Sequence, residues 1–305
     1  MTVLGAIGEG LAELALGPGP DAAQLGVGGD AANVCVMAAL LGQPARLAGR
    51  VGDDGLGSRL LAFWAARGVD VSGVRRDPQA PTGLYVNEPA HGHGHRFTYW
   101  RRGSAGSRVS PDDLDQRFFE GLGALVFTGI TLAISPSAAL AVRHAIDAAR
   151  ARGARVCCVL NHRPALGGDT AELAELAAAS DVLIASAEDV AAVFADESAV
   201  AALGPPEVVL TDGVRPVLGV AEGAAMRQPV PSVDERNAAG AGDALAGAYL
   251  AARLRGHAPS VGLAWGVAAA TLSVQRDGCA TSYPSCEETM ELAGRLPAAE
   301  PALGA

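Results

Sequence analysis

From residue 124 onward, short apolar runs alternate with segments of helical periodicity, and this alternation restricts the possible folds more than any other feature. The apolar runs have the length of buried strands and lie at 124–128, 155–160, 182–185 and 208–211. The helical segments that follow them are expected at 135–152, at about 169–179 and from about residue 188. Strands that alternate with helices in this way predict an α/β fold, in which a mostly parallel sheet is covered by helices on both faces.

The rest of the chain adds elements on either side of this region. Further strands are expected at 3–7, 45–50, 82–88 and 95–101, and a hairpin at 217–230. Further helices are expected at 34–41, 58–67, 259–275 and 285–295. The chain has 305 residues, without an internal repeat or a linker composition. One domain spanning 1–305, with a small β excursion, is therefore expected.

Composition excludes several classes of function. The formal charge of −10 argues against a nucleic-acid partner, and all 23 basic residues are arginine. A chain without lysine cannot carry a Walker A loop, form a Schiff base or attach pyridoxal phosphate. The N-terminus has no signal-peptide pattern, and no apolar run is long enough to span a membrane. The five cysteines lack metal-ligand spacing, so reduced thiols in a cytoplasmic protein are expected.

A glycine-rich turn at 237–243 contains the residues with the clearest chemical potential. Its sequence is Asn-Ala-Ala-Gly-Ala-Gly-Asp, and an amphipathic helix follows directly. The start of a helix presents free N–H groups and the positive end of the helix dipole, so it binds anions. Asp243 at that point could take a proton from a hydroxyl while Gly240, Ala241 and Gly242 hold phosphoryl charge. The structural alternative is that Asp243 is an ordinary N-cap.

A second glycine-rich segment, 26–33, must be weighed as a nucleotide fingerprint. Gly26, Gly28 and Ala31 match the G-x-G-x-x-A pattern of dinucleotide-binding folds. Residues 18–21 are not an apolar strand, so the strand-to-helix context that a dehydrogenase needs is not expected here. The alternating histidines at 91, 93 and 95 could suggest a metal site, but solvent exposure in a glycine-rich hairpin is the favoured interpretation.

Several motifs in order resemble the ribokinase-like (PfkB) carbohydrate kinases. The turn at 240–243, together with Gly-Gly-Asp-Ala-Ala-Asn at 28–33, resembles the glycine motifs of that family. The segment 99–111 (YWRRGSAGSRVSP) is similar to the YYRxGSAxSxLSP segment of its 2-keto-3-deoxygluconate kinases, and 129–133 and 161–164 (NHRP) resemble their next signatures. The resemblance covers about residues 5–290. It implies a three-layer α/β/α sandwich with a small β lid formed by about 10–27 and 82–101.

The resemblance also implies a role for individual residues. Asp243 would be the general base, with the turn at 240–242 as the anion hole. The residues implied to contact a sugar acid are Glu13, Gly28, Gly29, Asp30, Asn33, Tyr85, Tyr99, Arg101 and Arg163. Arginine suits a carboxylate and an aromatic ring suits a sugar, although each of these residues could also be purely structural.

On the nucleotide side, ATP and Mg²⁺ are implied. The residues implied to contact ATP are Asn161, Ser186, Thr211, Asp212, Gly213, Gly240 and Gly242, and those implied to hold the metal are Glu188 and Asp189. In this family lids often pair, so a homodimer through the lid is implied.

The sequence departs from the family pattern mostly on the metal and nucleotide side. Asn237 replaces an acid, Val159 stands where an aspartate is usual, and the N-x-x-E element reads Ser186-Ala187-Glu188-Asp189. The glycine pair after the strand at 208–211 is also incomplete, since that segment reads Asp212-Gly213-Val214-Arg215. Two functions therefore stay open, an ATP-dependent kinase of a keto-deoxy sugar acid and a catalytically impaired sugar-acid sensor. A kinase of another sugar or a nucleoside is a third possibility, against which Arg101 and Arg163 argue.

Overall fold

A computed structural model of the chain describes residues 2–17, 19, 21–89, 95–194 and 203–302. Within these ranges the strands form two sheets. The larger sheet contains ten strands, β1 (Val3–Ile7), β4 (Ala45–Gly52), β5 (Val69–Asp77), β8 (Leu122–Thr128), β9 (Arg155–Val159), β10 (Val182–Ser186), β11 (Glu207–Thr211), β12 (Val217–Ala221), β13 (Ala224–Gln228) and β14 (Glu300–Pro301). The smaller sheet contains four, β2 (Leu11–Leu16), β3 (Ala23–Gly28), β6 (Gly83–Pro89) and β7 (His95–Trp100).

The larger sheet is mostly parallel, as the strand–helix alternation predicts. Its strand order is β14-β13-β12-β11-β10-β9-β8-β1-β4-β5, and every neighbouring pair from β11 to β5 is parallel. The pairs from β11 to β14 are antiparallel, because the hairpin of β12 and β13 returns the chain directly. The central strands are continuous apolar runs because both of their faces are covered.

Helices cover both faces of this sheet and complete the three-layer α/β/α sandwich. They are α1 (Asp30–Leu40), α2 (Gly55–Ala66), α3 (Gln116–Phe119), α4 (Gly129–Ala133), α5 (Pro136–Arg150), α6 (Thr170–Ala178), α7 (Ala187–Val193), α8 (Ala241–Leu254), α9 (Pro259–Ser273) and α10 (Cys286–Arg295). On one face, Met37 of α1 and Tyr249 of α8 join a core that also contains Trp64. On the other face, Val142 and Ile146 of α5 pack in a second core.

Two helices begin earlier than the sequence suggests. We expected the first to begin at Val34, but it begins at Asp30, and the Asn33 N–H already donates to the Gly29 carbonyl. We expected the second to begin at Ser58, but it begins at Gly55 because Asp54 caps it and accepts a hydrogen bond from the Gly57 N–H. Glycines in a first turn conceal such helix starts, since glycine is a poor helix former elsewhere.

The smaller sheet corrects our interpretation of the segment around Gly26. From the residues before Gly26 we expected no apolar strand leading into the helix, whereas the resemblance implied a β segment at about 10–27. In the structure β3 runs through Gly26 and Gly28 and leads into α1. However, β3 pairs antiparallel with β2, so it is not part of the parallel βαβ unit that binds dinucleotides. A side chain at Gly26 would approach a Glu13 carboxylate oxygen within 2.5 Å, and one at Gly28 would approach the Tyr85 ring within 2.7 Å. These glycines therefore permit close packing within the smaller sheet.

Two further points concern what the structure describes. We predicted that His91 and His93 are exposed, but both lie outside the described residues, and the side chain of His95 is likewise not described. Among the described helices, none is both long and apolar enough to cross a membrane.

Candidate active site

A cavity of about 660 Å³ opens where the parallel strands of the larger sheet end, beneath the smaller sheet. Ligands of open α/β sheets bind outside the carboxyl ends of the strands, and this cavity has that position. The predicted site residues that line it are Gly29, Asp30, Asn33, Tyr85, Tyr99, Arg101, Asn161, Arg163, Ser186, Glu188, Asp189, Thr211, Gly240, Gly242 and Asp243. Five predicted residues do not line it, namely Glu13, Gly28, Asp212, Gly213 and Ala241.

The turn before α8 has the geometry of an anion-binding site. Gly240 is the N-cap of α8 in the left-handed conformation, with φ of +78°, and its carbonyl accepts a hydrogen bond of 2.8 Å from the Tyr283 hydroxyl. The Ala241 N–H donates to the Ala238 carbonyl, so it is already used. Helix geometry leaves the next N–H groups, of Gly242 and Asp243, without an acceptor inside the helix. A Cβ at Gly242 would meet no atom within 4 Å, so the open side of the turn has room for an anion.

Asp243 is held at the bottom of this cavity by two side-chain amides. Its side chain is buried, and Asn33 Nδ2 donates to Oδ2 at 2.8 Å while Asn161 Nδ2 donates to Oδ1 at 3.1 Å. Burial, and then the neighbouring Asp30 carboxylate, raise the pKa of Asp243 to about 7. The two amides oppose this rise because they stabilise the charged form. A carboxyl group that ionises near neutral pH is well matched to general-base catalysis.

Asn161 has a role that sequence reasoning missed. The resemblance assigned it to the nucleotide, but its amide contacts Asp243 and lies 3.5 Å from Asp30 Oδ2. Its backbone has a φ of +34°, a conformation that asparagine tolerates better than most residues. Asn161 comes two residues after the end of β9, at the strand ends where the cavity lies, and this position was the only signal in the sequence.

Another part of the cavity lining combines aromatic rings with two arginines. The rings of Tyr85 and Tyr99 are 5.5 Å apart, and the Arg101 guanidinium lies 5.2 Å from the centre of the Tyr99 ring. Burial, and then the positive charge of Arg163, lower the pKa of Arg101 to about 10. Because the two positive charges repel each other, an anion that binds beside them is stabilised. Arg163 is half exposed, and its Nη1 donates to the neighbouring His162 carbonyl.

Glu9 is a second residue that sequence reasoning missed. It lines the cavity, is 1% exposed, and forms an ion pair with Arg101. It comes two residues after β1, so the rule that ligands bind at the carboxyl ends of parallel strands could have found it. The Arg101 charge is therefore already partly compensated within the protein, whereas the resemblance implied an arginine available for the substrate.

Glu13 and Gly28 do not contact the cavity, which corrects two predicted sugar contacts. Glu13 is fully buried, and it accepts hydrogen bonds from Asn87 Nδ2 at 2.9 Å and from the Cys279 N–H at 3.2 Å. It therefore ties the smaller sheet to the segment before α10. Gly28 faces the Tyr85 ring, so its contribution is to let that ring pack closely.

On the nucleotide side, Asp212 and Gly213 are corrected in the same way. Asp212 forms an exposed ion pair of 2.7 Å with Arg215, and neither Asp212 nor Gly213 lines the cavity. Ser186 and Thr211 do line it, at the ends of β10 and β11. Ser186 also caps α7, where its hydroxyl accepts a hydrogen bond from the Asp189 N–H.

The two predicted metal ligands differ in availability. Asp189 is buried, accepts a hydrogen bond from the His162 N–H, and lies 3.7 Å from Arg163 Nη1. Glu188 is exposed and faces the cavity. In the part of the chain that the structure describes, no group of three or more His, Cys, Asp and Glu side chains could hold a metal ion. Magnesium is usually bound by one or two carboxylates together with substrate phosphates and water, so Glu188 fits such a site.

Comparisons with known proteins show what the chain is similar to. Residues 18–286 match the model of the pfkB family of carbohydrate kinases. The chain is 36% identical to the 2-dehydro-3-deoxygluconokinase of Thermoproteus tenax, over 96% of this chain and 94% of the relative. It is 31% identical to the 2-dehydro-3-deoxygalactonokinase of Haloferax volcanii, over 80% of each chain. The structure is similar to that of a fructokinase from Xylella fastidiosa with bound ATP, with a TM-score of 0.88, 25% identity, and coverage of 96% of this chain and 98% of that one.

Proposed function

This chain belongs to the pfkB family of carbohydrate kinases, and from that premise we propose that it phosphorylates a 2-keto-3-deoxy sugar acid at a primary hydroxyl, with ATP as the donor. One observation carries the proposal. A buried carboxyl group that ionises near neutral pH, Asp243, lies at the start of α8 in the same cavity as Arg101 and Arg163. The names of the two sugar-acid kinases to which the chain is similar support the same substrate class.

The residues around Asp243 would perform the chemistry by orientation and charge. Asn33 and Asn161 hold the carboxylate so that it can accept the proton of the attacking hydroxyl. The N–H groups at the start of α8 would stabilise charge on the phosphoryl group during transfer. Phosphoryl transfer depends mainly on positioning and electrostatic stabilisation, and both are available at this turn.

The residues present also fit the nucleotide and its metal. ATP bound with Mg²⁺ would supply the phosphoryl group and neutralise part of its charge. Glu188 would hold the metal, and Ser186 and Thr211 would line the nucleotide side. The open space beside Gly242 leaves room for a phosphate at the helix N-terminus.

The acid group of the sugar would lie near the two arginines. Arg163 is half exposed at the cavity, and its planar guanidinium can bind a carboxylate through two parallel hydrogen bonds. Tyr85 and Tyr99 would cover the carbon chain of the sugar. A nucleoside has no carboxylate to occupy this position, so the arginines favour a sugar acid.

The direct test is the release of ADP from ATP and Mg²⁺ with a panel of sugar acids, neutral sugars and nucleosides. We expect turnover with a 2-keto-3-deoxy sugar acid and little with the other classes. Turnover with only a neutral sugar or a nucleoside would contradict the proposed substrate. Sugar-acid binding by calorimetry without any turnover would identify a sensor on a kinase fold, as the altered residues Val159 and Asn237 first suggested.

Arg163→Ala should weaken binding of a sugar acid much more than binding of a matching neutral sugar. A charge-assisted hydrogen bond contributes about 1.5–3 kcal/mol, so we expect a loss of roughly 10-fold to 150-fold in acid affinity. Calorimetry with the acid and with its reduced, uncharged analogue measures the difference. Arg215→Ala is the matched control, because Arg215 is exposed and pairs with Asp212 outside the cavity. Equal losses for both ligands would mean that the carboxylate does not bind at Arg163.

We also propose that two copies of the chain associate through the outer face of the smaller sheet. Successive side chains of a strand point to opposite faces of the sheet. In the pairing of β6 with β7, Leu84 is beside Trp100 on one face, and Tyr85 is beside Tyr99 on the other face. The outer face also carries Leu16 and Leu25, which are 36% and 41% exposed, while Trp100 is 58% exposed. A contiguous apolar face of this kind indicates an interaction site, and a second copy offers a matching apolar face.

Trp100→Glu should convert this dimer to a monomer, because it places a charge on the apolar face. Size-exclusion chromatography with light scattering measures the mass in solution. Leu140→Glu on α5 is the matched control, since Leu140 is 53% exposed but lies away from the smaller sheet. A monomeric parent protein, or an unchanged dimer in Trp100→Glu, would contradict the proposed interface.

A further inference from the structure

A second buried carboxyl group lies near Asp243 at the start of α8. Asp30 is 7% exposed and lies at the start of α1, and a single side-chain amide connects the two groups. Asn161 Nδ2 is 3.1 Å from Asp243 Oδ1 and 3.5 Å from Asp30 Oδ2. Two carboxyl groups that share one donor in a buried position are close enough for the charge of one to affect the proton affinity of the other.

The packing of two helices holds this pair together. α1 packs directly on α8, and Gly247 permits the close approach, since a Cβ there would lie 2.5 Å from the Val34 carbonyl oxygen. Gly29 fixes the start of α1 in a similar way, because a Cβ there would lie 2.3 Å from the Glu9 carbonyl oxygen. The Asp30 carboxylate also accepts a hydrogen bond from the Ala31 N–H at 2.8 Å. The position of Asp30 beside Asp243 is therefore built into the core of the protein.

We propose that Asp30 is a positioning residue, which acts on the reaction through Asp243. Asp30 keeps a second carboxyl group beside Asp243, and the pair therefore holds one proton more tightly than Asp243 would alone. This inference rests on the proposed function, in which Asp243 is the base. The resemblance implied only a sugar contact for Asp30. A stronger base accepts a hydroxyl proton more readily, provided that it is ionised at the working pH.

The other groups that face the pair do not remove this effect. Arg163 faces both carboxyl groups and lowers their pKa values, and the Thr128 hydroxyl stabilises the charged form of Asp30. The remaining titratable neighbours are Tyr99, from β7, and Cys279 and Tyr283, from the segment before α10. Burial raises the pKa values of all three, so they stay neutral at physiological pH. Burial still raises the pKa of Asp30 above its ordinary value, and burial together with the Asp30 charge raises the pKa of Asp243 to about 7.

The pH dependence of kcat/KM tests the proposal, with Asp30→Asn and Asp30→Ala compared with the parent enzyme. In both variants we expect the acidic limb of the profile to move down by about one pH unit or more, because Asp243 no longer has a charged neighbour. The maximal kcat at high pH should fall at the same time, since Asp243 becomes a weaker base. A sugar contact alone would raise KM and leave the acidic limb in place, and that result would overturn the proposal.

Thermal unfolding supplies a second measurement that does not need turnover. When two carboxyl groups have raised pKa values in the folded protein, they lower its stability at pH values where the same groups are ionised in the unfolded chain. Asp30→Asn should therefore raise Tm more at pH 8 than at pH 4.5. Asp212→Asn is the matched control, because Asp212 is exposed, and its Tm difference should not grow with pH in this way. If the parent enzyme shows no turnover, the proposed function fails, and the Tm series still tests whether a buried Asp30 carboxyl with a raised pKa costs stability, which the coupling requires. A Tm difference for Asp30→Asn that does not grow with pH would overturn the coupling.

Discussion

Replacing Asp243 with asparagine should lower kcat by about 10²–10⁴-fold, the usual contribution of a positioned general base. Binding of the sugar acid should remain close to that of the parent enzyme, because Arg163, Tyr85 and Tyr99, which we propose to hold the sugar acid, are unchanged in this variant. The asparagine is nearly isosteric, but its NH₂ group would face one of the two amides that now donate to the carboxylate, from Asn33 and Asn161. A small loss of local order is therefore expected as well.

Steady-state ADP release gives kcat for this variant, and calorimetry gives its affinity for the sugar acid. Asp212→Asn is the matched control, since it removes an exposed carboxyl outside the cavity and should retain full turnover. Retention of the parent kcat by Asp243→Asn would remove Asp243 from the mechanism. Loss of both turnover and sugar binding would instead indicate a disrupted cavity.

The pH profile of the parent enzyme follows from the same residue. Because the pKa of Asp243 is raised to about 7, kcat/KM should fall about tenfold for each pH unit below that value, as the base becomes protonated. Stability has the opposite dependence on pH. Between the ordinary value of 3.8 and about 7, the folded protein binds more protons at this site than the unfolded chain does. The contribution of Asp243 to stability is therefore complete below that window and is lost as the pH rises through it.

Gly240→Ala should produce the second large loss, about 10²–10³-fold in kcat, which is typical of damage to an anion hole. Gly240 has a φ of +78°, where an L-residue is strained. A Cβ there would also lie 2.6 Å from Cys279 Sγ and 3.0 Å from the Tyr283 hydroxyl, so the turn must shift. That shift would move the N–H groups of Gly242 and Asp243 away from the phosphoryl position.

Gly256→Ala, at the other end of the same helix, separates this effect from backbone strain. Gly256 has a φ of +81°, and a Cβ there would meet no atom within 4 Å. Both variants should lose stability in a denaturant titration through the strained φ, with a further loss in Gly240→Ala from the contact with Cys279, but only Gly240→Ala should lose turnover. Equal kcat values for the two variants would show that the turn does not contribute to catalysis.

Local patterns in the sequence determined most of the fold and part of the site. The apolar runs that become β8 to β11 are continuous because both faces of a parallel sheet are buried, and this composition can be recognised without a structure. The turn before α8 is equally local, since its glycines, its acid and its helix are consecutive in the chain. For that reason Asp243 could be singled out from the sequence together with its chemistry.

Contacts between distant segments could not be predicted in this way. Glu13 matches an acidic position of the family, but the register of β2 against β3 and β6 turns it into the interior, where Asn87 and Cys279 bind it. The ion pair of Glu9 with Arg101 joins the end of β1 to the smaller sheet. Neither arrangement follows from motif spacing, because both depend on how the two sheets are placed relative to each other.

The sequence by itself determined the class of fold and the glycine-rich turn before α8, and it predicted Asp243 as the base. Only the tertiary structure decided the pKa of that carboxyl group. Asn33, Asn161 and Asp30 meet Asp243 because α1 packs on α8 and because β9 ends at the same edge of the sheet. A pKa depends on burial and on charges a few ångströms away, and those distances are set by the packing of residues that are far apart in the chain.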